Sequence, residues 1–96
     1  MKMISVRGEI LLSAADQNLI GKEFRDGRVH ILVDPEFYGK TRVSKKTYVS
    51  SLRMCSIANL VGKEAVGVAV DEGLVDPGNI ITISGVPHAQ FASMIS

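Results

Sequence analysis

The order of the hydrophobic patterns along this chain is the feature that most constrains its fold. Two short runs rich in Ile, Val and Leu, residues 3–6 and 9–14, flank Arg7 and Gly8, which predicts two strands joined by a tight turn. A β-branched run over residues 29–33 predicts a third strand, and an apolar run over residues 80–83 predicts a last one. The two long helical patterns lie between the third strand and the last.

The first of these helices is predicted to begin after Ser44, a favoured N-cap residue. A stripe at three-to-four spacing follows, which is typical of a buried helix face. The stripe consists of Tyr48, Val49, Leu52 and Cys55. We expect the helix to run to about Val61 and to end at Gly62. A second helix is predicted from about Lys63, although its Val-rich centre is also compatible with a strand.

This order of elements, strands, then helices, then a strand, predicts an α+β fold. We expect a single domain over residues 1–96, built as a two-layer sandwich with a mostly antiparallel sheet and about two helices packed on one face. Among the connecting segments, Asp16 is predicted to cap a helical turn that Gly21 ends. Residues 22–28 are polar with a turn at Asp26, and residues 37–39 predict a packed loop.

Composition places the chain among ordinary globular proteins, with 46% hydrophobic and 22% charged residues. No apolar run approaches the length of a membrane span, and residues 1–5 do not resemble a secretion signal, so we expect a cytoplasmic protein with no membrane contact. The single cysteine, Cys55, lies in an apolar stretch and is predicted to be a buried structural thiol.

Charge is sorted along the sequence rather than mixed. Residues 37–63 carry six basic side chains and no acidic one, whereas residues 64–96 carry four acidic side chains and no Lys or Arg. Clustered positive charge raises the local concentration of anionic partners. Two interpretations stay open: the basic third binds an anion, or the acidic third lies beside it and neutralises it.

Four short motifs occur in a characteristic order. They are Leu19-Ile20-Gly21-Lys22 with Phe24, Phe37-Tyr38-Gly39, Ile57-Ala58-Asn59-Leu60-Val61-Gly62 and Gly85-Val86-Pro87-His88-Ala89-Gln90. In this order the chain resembles the domain-of-unknown-function 424 family of small archaeal proteins, over nearly its whole length. The resemblance implies a compact cytoplasmic archaeal domain, and it brings no enzyme class, cofactor or catalytic residue. Its more specific motifs contain Asn59, Gly62, Gly85, Pro87, His88 and Gln90.

The motif over residues 85–90 predicts a rigid loop that presents His88, because Pro87 fixes one backbone torsion and Gly85 permits a sharp entry. A rigid imidazole suits a proton shuttle or a metal ligand. The alternative is that His88 and Gln90 bond backbone groups and hold the C-terminal segment in place. His30, His88 and Cys55 have no spacing typical of a metal site, so no metal is expected.

Asn59 is an amide among apolar neighbours, so we expect it to be partly buried and hydrogen-bonded. A bond to the His88 loop would make the two specific motifs one structural unit. Direct contact between Asn59 and a ligand is the alternative.

The start of the predicted main helix is unusually basic. Lys45 and Lys46 directly follow Ser44, where the helix dipole disfavours cations and favours a phosphate. A solvated lysine pair is the other interpretation. No glycine-rich nucleotide-binding loop occurs in the sequence.

Three functions remain open. The first is a non-enzymatic binding module that meets the backbone of RNA, on the ribosome or a translation factor, without recognition of DNA sequence. Its predicted contacts are Lys40, Arg42, Lys45, Lys46 and Arg53. The second is a small enzyme that uses His88 as general base on an anionic substrate. The third is an adaptor that binds a protein through an apolar patch near Phe91 and Met94.

Overall fold

The computed structural model of the chain describes residues 1–39 and 41–92. Within these ranges the strands are β1 (Lys2–Val6), β2 (Glu9–Ala15), β3 (Glu23–Asp26), β4 (Val29–Leu32), β5 (Ile57–Val61), β6 (Ile81–Ile83) and β7 (Val86–Ala92). The α-helices of the described residues are α1 (Pro35–Tyr38), α2 (Lys45–Met54) and α3 (Lys63–Asp71). Single 3-10 turns lie at Gln17–Leu19 and Pro77–Asn79.

Five strands form one sheet in the order β1-β2-β5-β7-β6, and β3 pairs with β4 in a separate hairpin. The β2–β5 pair is parallel, and the other pairs are antiparallel. A parallel pair needs a long crossover connection, and here that connection contains β3, β4, α1 and α2. The α+β class and the mostly antiparallel sheet are therefore confirmed.

The main core lies between one sheet face and the two longer helices. Alternate residues of the central strands point toward α2 and α3, as the two-residue period of a strand requires. The stripe predicted for α2 is confirmed for Tyr48 and Leu52, which are 8% and 1% exposed. Cys55 is fully buried, as predicted, and its thiol donates to the carbonyl of Leu52 at 3.2 Å. Burial raises the pKa of the Cys55 thiol.

The opposite sheet face carries a smaller cluster that the sequence did not predict. Val33, Tyr38 and Val61 form its buried centre, and residues of the β3–β4 hairpin pack against them. The segment expected to be merely polar, residues 22–28, contains β3, which pairs with β4 around a turn at Gly27. Residues 35–38 form the four-residue helix α1, so Phe37 and Tyr38 lie in a short helix rather than in the packed loop predicted for residues 37–39.

The main helix is shorter than predicted. It begins after Ser44 as expected, with the Ser44 hydroxyl accepting from the Thr47 amide at 3.2 Å, but it ends at Met54 rather than near Val61. Ile57–Val61 is instead the central strand β5, between β2 and β7. A strand buried on both faces is a continuous apolar run, and such a run is hard to distinguish from the end of a buried helix.

The prediction that Gly62 ends the main helix is wrong. Gly62 instead stands at the start of α3. Its φ is +110°, and it stands at the N-cap position before Lys63. The second helix is confirmed over Lys63–Asp71, and Gly73 follows with a φ of +75°. The strand alternative for residues 66–70 is therefore wrong.

Residues 85–90 form a turn and a strand rather than a rigid loop. Ser84 and Gly85 have φ of +50° and +79°, which is the geometry of a tight hairpin turn between β6 and β7. Pro87 and His88 lie within β7. The β-branched run at Ile81–Ile83 is thus a strand, as predicted, but β7 follows it as the last one.

Within the described ranges, the longest helix is α2 with ten residues, and none has the length and apolarity that a membrane crossing requires. Met94, part of the predicted adaptor patch, lies outside the described residues.

Candidate functional site

A cleft of about 480 Å³ opens on the surface of the described residues. It lies where the C-terminal end of β2, residues 41–43, the start of α2 and one face of α3 come together. Its small or apolar lining consists of Ala14, Ala15, Val43, Ala65, Gly67 and Val68. Its charged lining consists of Asp16, Arg42, Lys45, Lys63, Glu64 and Asp71.

Asp16 fixes the floor of this cleft by capping α3. Its carboxylate accepts from the amides of Glu64 at 3.1 Å and Ala65 at 2.8 Å, and its own amide donates to the carbonyl of Val61 at 3.0 Å. The sequence assigned Asp16 to the turn that follows it, but no side-chain cap bond forms there. The predicted turn does form at Gln17–Leu19 with Asp16 at its N-cap position, but the carboxylate binds α3 amides 48 and 49 residues away in sequence instead.

Tyr48 forms part of the cleft wall and links its two helices. Its buried hydroxyl donates to the carbonyl of Ala65 at 2.7 Å, so α2 is tied to the first turn of α3. Burial raises the pKa of Tyr48 well above its ordinary value, and the negative charge of Asp16 acts in the same direction. Tyr48 is therefore a neutral hydrogen-bond donor at physiological pH.

One wall of the cleft is basic. Arg42 and Lys45 line it from the α2 side, and Lys63 lines it from the start of α3. Lys46 is exposed beside Lys45 on the first turn of α2 but does not line the cleft. Lys40, also predicted to bind an anion, lies outside the described residues. The structure thus brings Arg42 and Lys45 together, and Lys63 is an addition that the sequence analysis missed.

The facing wall is acidic. Glu64 and Asp71 stand seven residues apart on α3, so they share the face that also holds Gly67 and Val68. Across residues 1–39 and 41–92, no ion pair within 4.0 Å joins these carboxylates to Arg42 or Lys45. Arg42 and Lys45 therefore line the cleft from the α2 side, whereas Glu64 and Asp71 line it from α3, where Lys63 stands beside Glu64.

At the other end of α2 the two charge blocks do pair. Arg53 donates to the Glu72 carboxylate at 2.6 Å, which joins the end of α2 to the end of α3. Arg53 lies eight residues beyond Lys45 on α2, which corresponds to about 12 Å along the helix axis. Its charge is compensated and distant from the basic wall.

The two specific sequence motifs are neighbouring antiparallel strands. β5 pairs with β7 so that Asn59 faces Gln90 and Val61 faces His88, and the Gly62 amide donates to the Pro87 carbonyl at 2.9 Å. Ser13 of β2 lies beside Asn59, which places Ser13, Asn59 and Gln90 in one polar row across the sheet. The motifs form one structural unit through backbone pairing, and within the described part of the chain Asn59 makes no side-chain bond to His88.

His88 is half-buried on β7, between Val61 and Ile81, and it does not line the cleft. Burial lowers the pKa of its imidazole, which favours the neutral ring. No side-chain hydrogen bond joins His88 to a carboxylate among the residues that the structure describes. The acidic neighbour that a general base would use for its orientation is not seen there.

His30 lies on β4, where its ring is 3.2 Å from the Glu23 carboxylate, and Cys55 lies in the main core. In the described ranges, no three His, Cys, Asp or Glu side chains are grouped so that they could hold a metal ion.

Together the mixed five-stranded sheet, its two packed helices and the cleft define a small α+β protein. A family described as "Protein of unknown function (DUF424)" matches residues 4–94, so the chain belongs to that family. A crystal structure of an uncharacterized conserved protein from Methanopyrus kandleri has the same fold, with a TM-score of 0.77 and 22% identity. The match covers 94% of this chain and 86% of that one. No curated protein matches the sequence.

Proposed function

We propose that this protein is a non-enzymatic cytoplasmic module that binds the phosphate backbone of RNA, either free or within a ribosome or translation complex. The observation that carries the proposal is the basic surface formed by Arg42, Lys45 and Lys46. All three side chains are exposed, and none forms an ion pair within the described part of the chain. Neutralising phosphates with such cations releases counterions, which drives binding without sequence recognition.

The position of the lysines supports this function. Lys45 and Lys46 occupy the first turn of α2, where the positive end of the helix dipole opposes them by about 0.3–1 kcal/mol each. A bound phosphate reverses this penalty, because it interacts favourably with both the dipole and the ammonium groups. Lys40, two residues before Arg42, remains a predicted further contact.

Arg53 is the weakest member of the predicted set. Its guanidinium is bonded to Glu72, and an RNA phosphate would compete with that carboxylate. We therefore place Arg53 at the margin of the surface and expect it to contribute less than either lysine.

Charge reversal tests the proposal. We expect the wild type to bind a labelled single-stranded RNA in a salt-sensitive manner in fluorescence anisotropy, and the Lys45→Glu/Lys46→Glu variant to lose at least about tenfold in affinity. The matched control is Lys22→Glu/Arg28→Glu, which changes net charge equally but lies around the β3–β4 hairpin, on the opposite sheet face. Equal losses in both variants, or none in either, would overturn the assigned surface.

A protein contact is the second candidate function, and the edge strand β1 favours it. Met3, Ile4 and Val6 are 36%, 45% and 46% exposed on this strand, whose outer side has no partner strand among the described residues. Phe91, which the sequence placed in an adaptor patch, packs against the main core instead. Affinity purification from the native cell that recovers one protein, with no RNA, and loses it in an Ile4→Lys variant would favour this candidate.

A further inference from the structure

We infer that the cleft between α2 and α3 receives one unpaired nucleotide of the bound RNA, with its phosphate at the basic wall and its base against α3. The inference rests on the proposed function, because Arg42 and Lys45 belong both to the phosphate-binding surface and to the cleft lining. It adds a substrate class, single-stranded rather than duplex RNA.

Gly67 supplies an observation that is independent of charge. It lies inside α3, where glycine is less favourable than alanine. Its φ is not positive, and a β-carbon added there would meet no atom within 4 Å, so neither the backbone nor the packing requires glycine. The missing side chain faces the cleft. A glycine that costs helix stability and opens a cleft is suited to the close approach of a ligand to the backbone.

The dimensions and the lining suit a nucleotide. A volume of about 480 Å³ falls within the range of small-ligand sites, about 300–1,000 Å³. Val43 and Val68 line the cleft and offer apolar surface against which a base can pack. A base held in a duplex stack cannot enter such a cleft without being flipped out of the stack, which is unfavourable.

The opposed walls give the nucleotide a direction. Phosphate is attracted by Arg42 and Lys45 and repelled by Glu64 and Asp71, so the base is directed toward α3. Carboxylates accept hydrogen bonds from exocyclic amino groups, such as N4 of cytosine. Cytosine therefore fits the acidic wall better than uracil, which has a carbonyl at that position.

Filling the cleft without changing its charge is the first test. We expect Gly67→Met to weaken binding of an oligo(C) strand by at least about fivefold, because the added side chain occupies the space of the base and removes its packing. Gly67→Ala is the matched control, because it adds one methyl group in open space and favours the helix. Thermal unfolding of both variants verifies that each is folded.

Base and strand preference is the second test. We expect the wild type to bind oligo(C) more tightly than oligo(U) of the same length, and both more tightly than a duplex. Asp71→Asn should reduce the difference between oligo(C) and oligo(U), while Asp76→Asn, on a turn outside the cleft, should leave it unchanged.

These experiments separate the two proposals. If the wild type shows no salt-sensitive RNA binding, the proposed function itself is wrong. If it binds RNA, but single strands and duplexes bind equally and Gly67→Met binds like the wild type, only the cleft assignment is overturned.

Discussion

The carboxylate of Asp16 occupies the space that a β-carbon on Gly62 would need. A methyl group at Gly62 would lie 2.5 Å from both carboxylate oxygens, and the φ of +110° is strained for any other residue. Asp16 thereby reaches the first amides of α3. One contact thus joins the end of β2, the end of β5 and the start of α3, and it forms the floor of the cleft.

Gly62, at the start of α3, and Gly67, inside it, should respond oppositely when each is replaced by alanine: the first variant should be less stable than the wild type and the second more stable. Gly62→Ala is expected to lower the free energy of unfolding by at least about 2 kcal/mol, because it combines backbone strain with loss of the Asp16 cap. Gly67→Ala is expected to raise it by about 0.5–1 kcal/mol. Urea denaturation of both variants measures the two effects, and a destabilising Gly67→Ala would show that Gly67 is needed for packing.

Tyr48 should make stability depend on alkaline pH. Its folded-state pKa lies above the unfolded value of about 10, so the unfolded chain loses its proton first as the pH rises. The stabilisation is complete below about pH 10 and declines above it. Tyr48→Phe should lower the free energy of unfolding by about 1–2 kcal/mol at pH 7, because the Ala65 carbonyl loses its hydrogen-bond donor. The same variant should show a smaller loss of stability above pH 10.

The residual slope in that variant reports on Tyr38 and Cys55, whose pKa values burial also raises. Unfolding measured from pH 8 to pH 11 tests the prediction. A Tyr48→Phe curve parallel to that of the wild type would mean that the Tyr48 phenol is accessible to ionisation in the folded protein.

His88 should destabilise the protein under acid conditions. Burial lowers its folded-state pKa below 6.5, so the unfolded chain binds a proton more readily. The contribution of His88 to the free energy of unfolding is complete above about pH 6.5. It is lost as the pH falls through the folded-state pKa of His88. NMR titration of the imidazole, with signals assigned by a His30→Gln variant, measures that pKa directly. A His88 pKa above 6.5 would indicate a nearby carboxylate and would revive the general-base interpretation.

Arg53 and Glu72 should contribute little to stability, although their distance is short. Their side chains are 56% and 29% exposed, and an exposed pair of this kind is typically worth about 0.2–1 kcal/mol. A double-mutant cycle with Arg53→Ala and Glu72→Ala should give a coupling in that range at low salt and near zero in 1 M salt. A coupling well above this range would make the pair a main link between α2 and α3.

Local signals predicted much of the fold. Ser44 as N-cap and the spacing of Tyr48 and Leu52 defined the start and the buried face of α2, because both depend on residues within the helix itself. The family resemblance is also confirmed. The end of α2 was missed because Ile57–Val61 is an apolar run interrupted only by Asn59, and its pairing with β2 is a long-range interaction.

The cleft was beyond the reach of sequence reasoning for a related physical reason. Asp16 and Gly62 are far apart in the chain, and only the parallel β2–β5 pair brings them together. Sorted charge was visible in the sequence, but whether the blocks would neutralise each other depended on the packing of α2 against α3. The packing neutralises the charges at one end of the helices, where Arg53 pairs with Glu72. At the other end Lys45 and Asp71 both line the open cleft. Gly67 was the one sequence signal that pointed to the cleft, because a glycine within a predicted helix is unfavourable without a local reason.

The salt dependence of RNA affinity tests the central claim most directly. A single-stranded RNA contact contributes about −0.7 to the slope of log K against log salt, so Lys45→Gln/Lys46→Gln should make the slope shallower by about 1.4. Lys22→Gln/Arg28→Gln should retain the wild-type slope. That result would place two phosphate contacts on the first turn of α2, whereas a wild-type slope near zero, or one that both variants share, would contradict RNA binding at this surface.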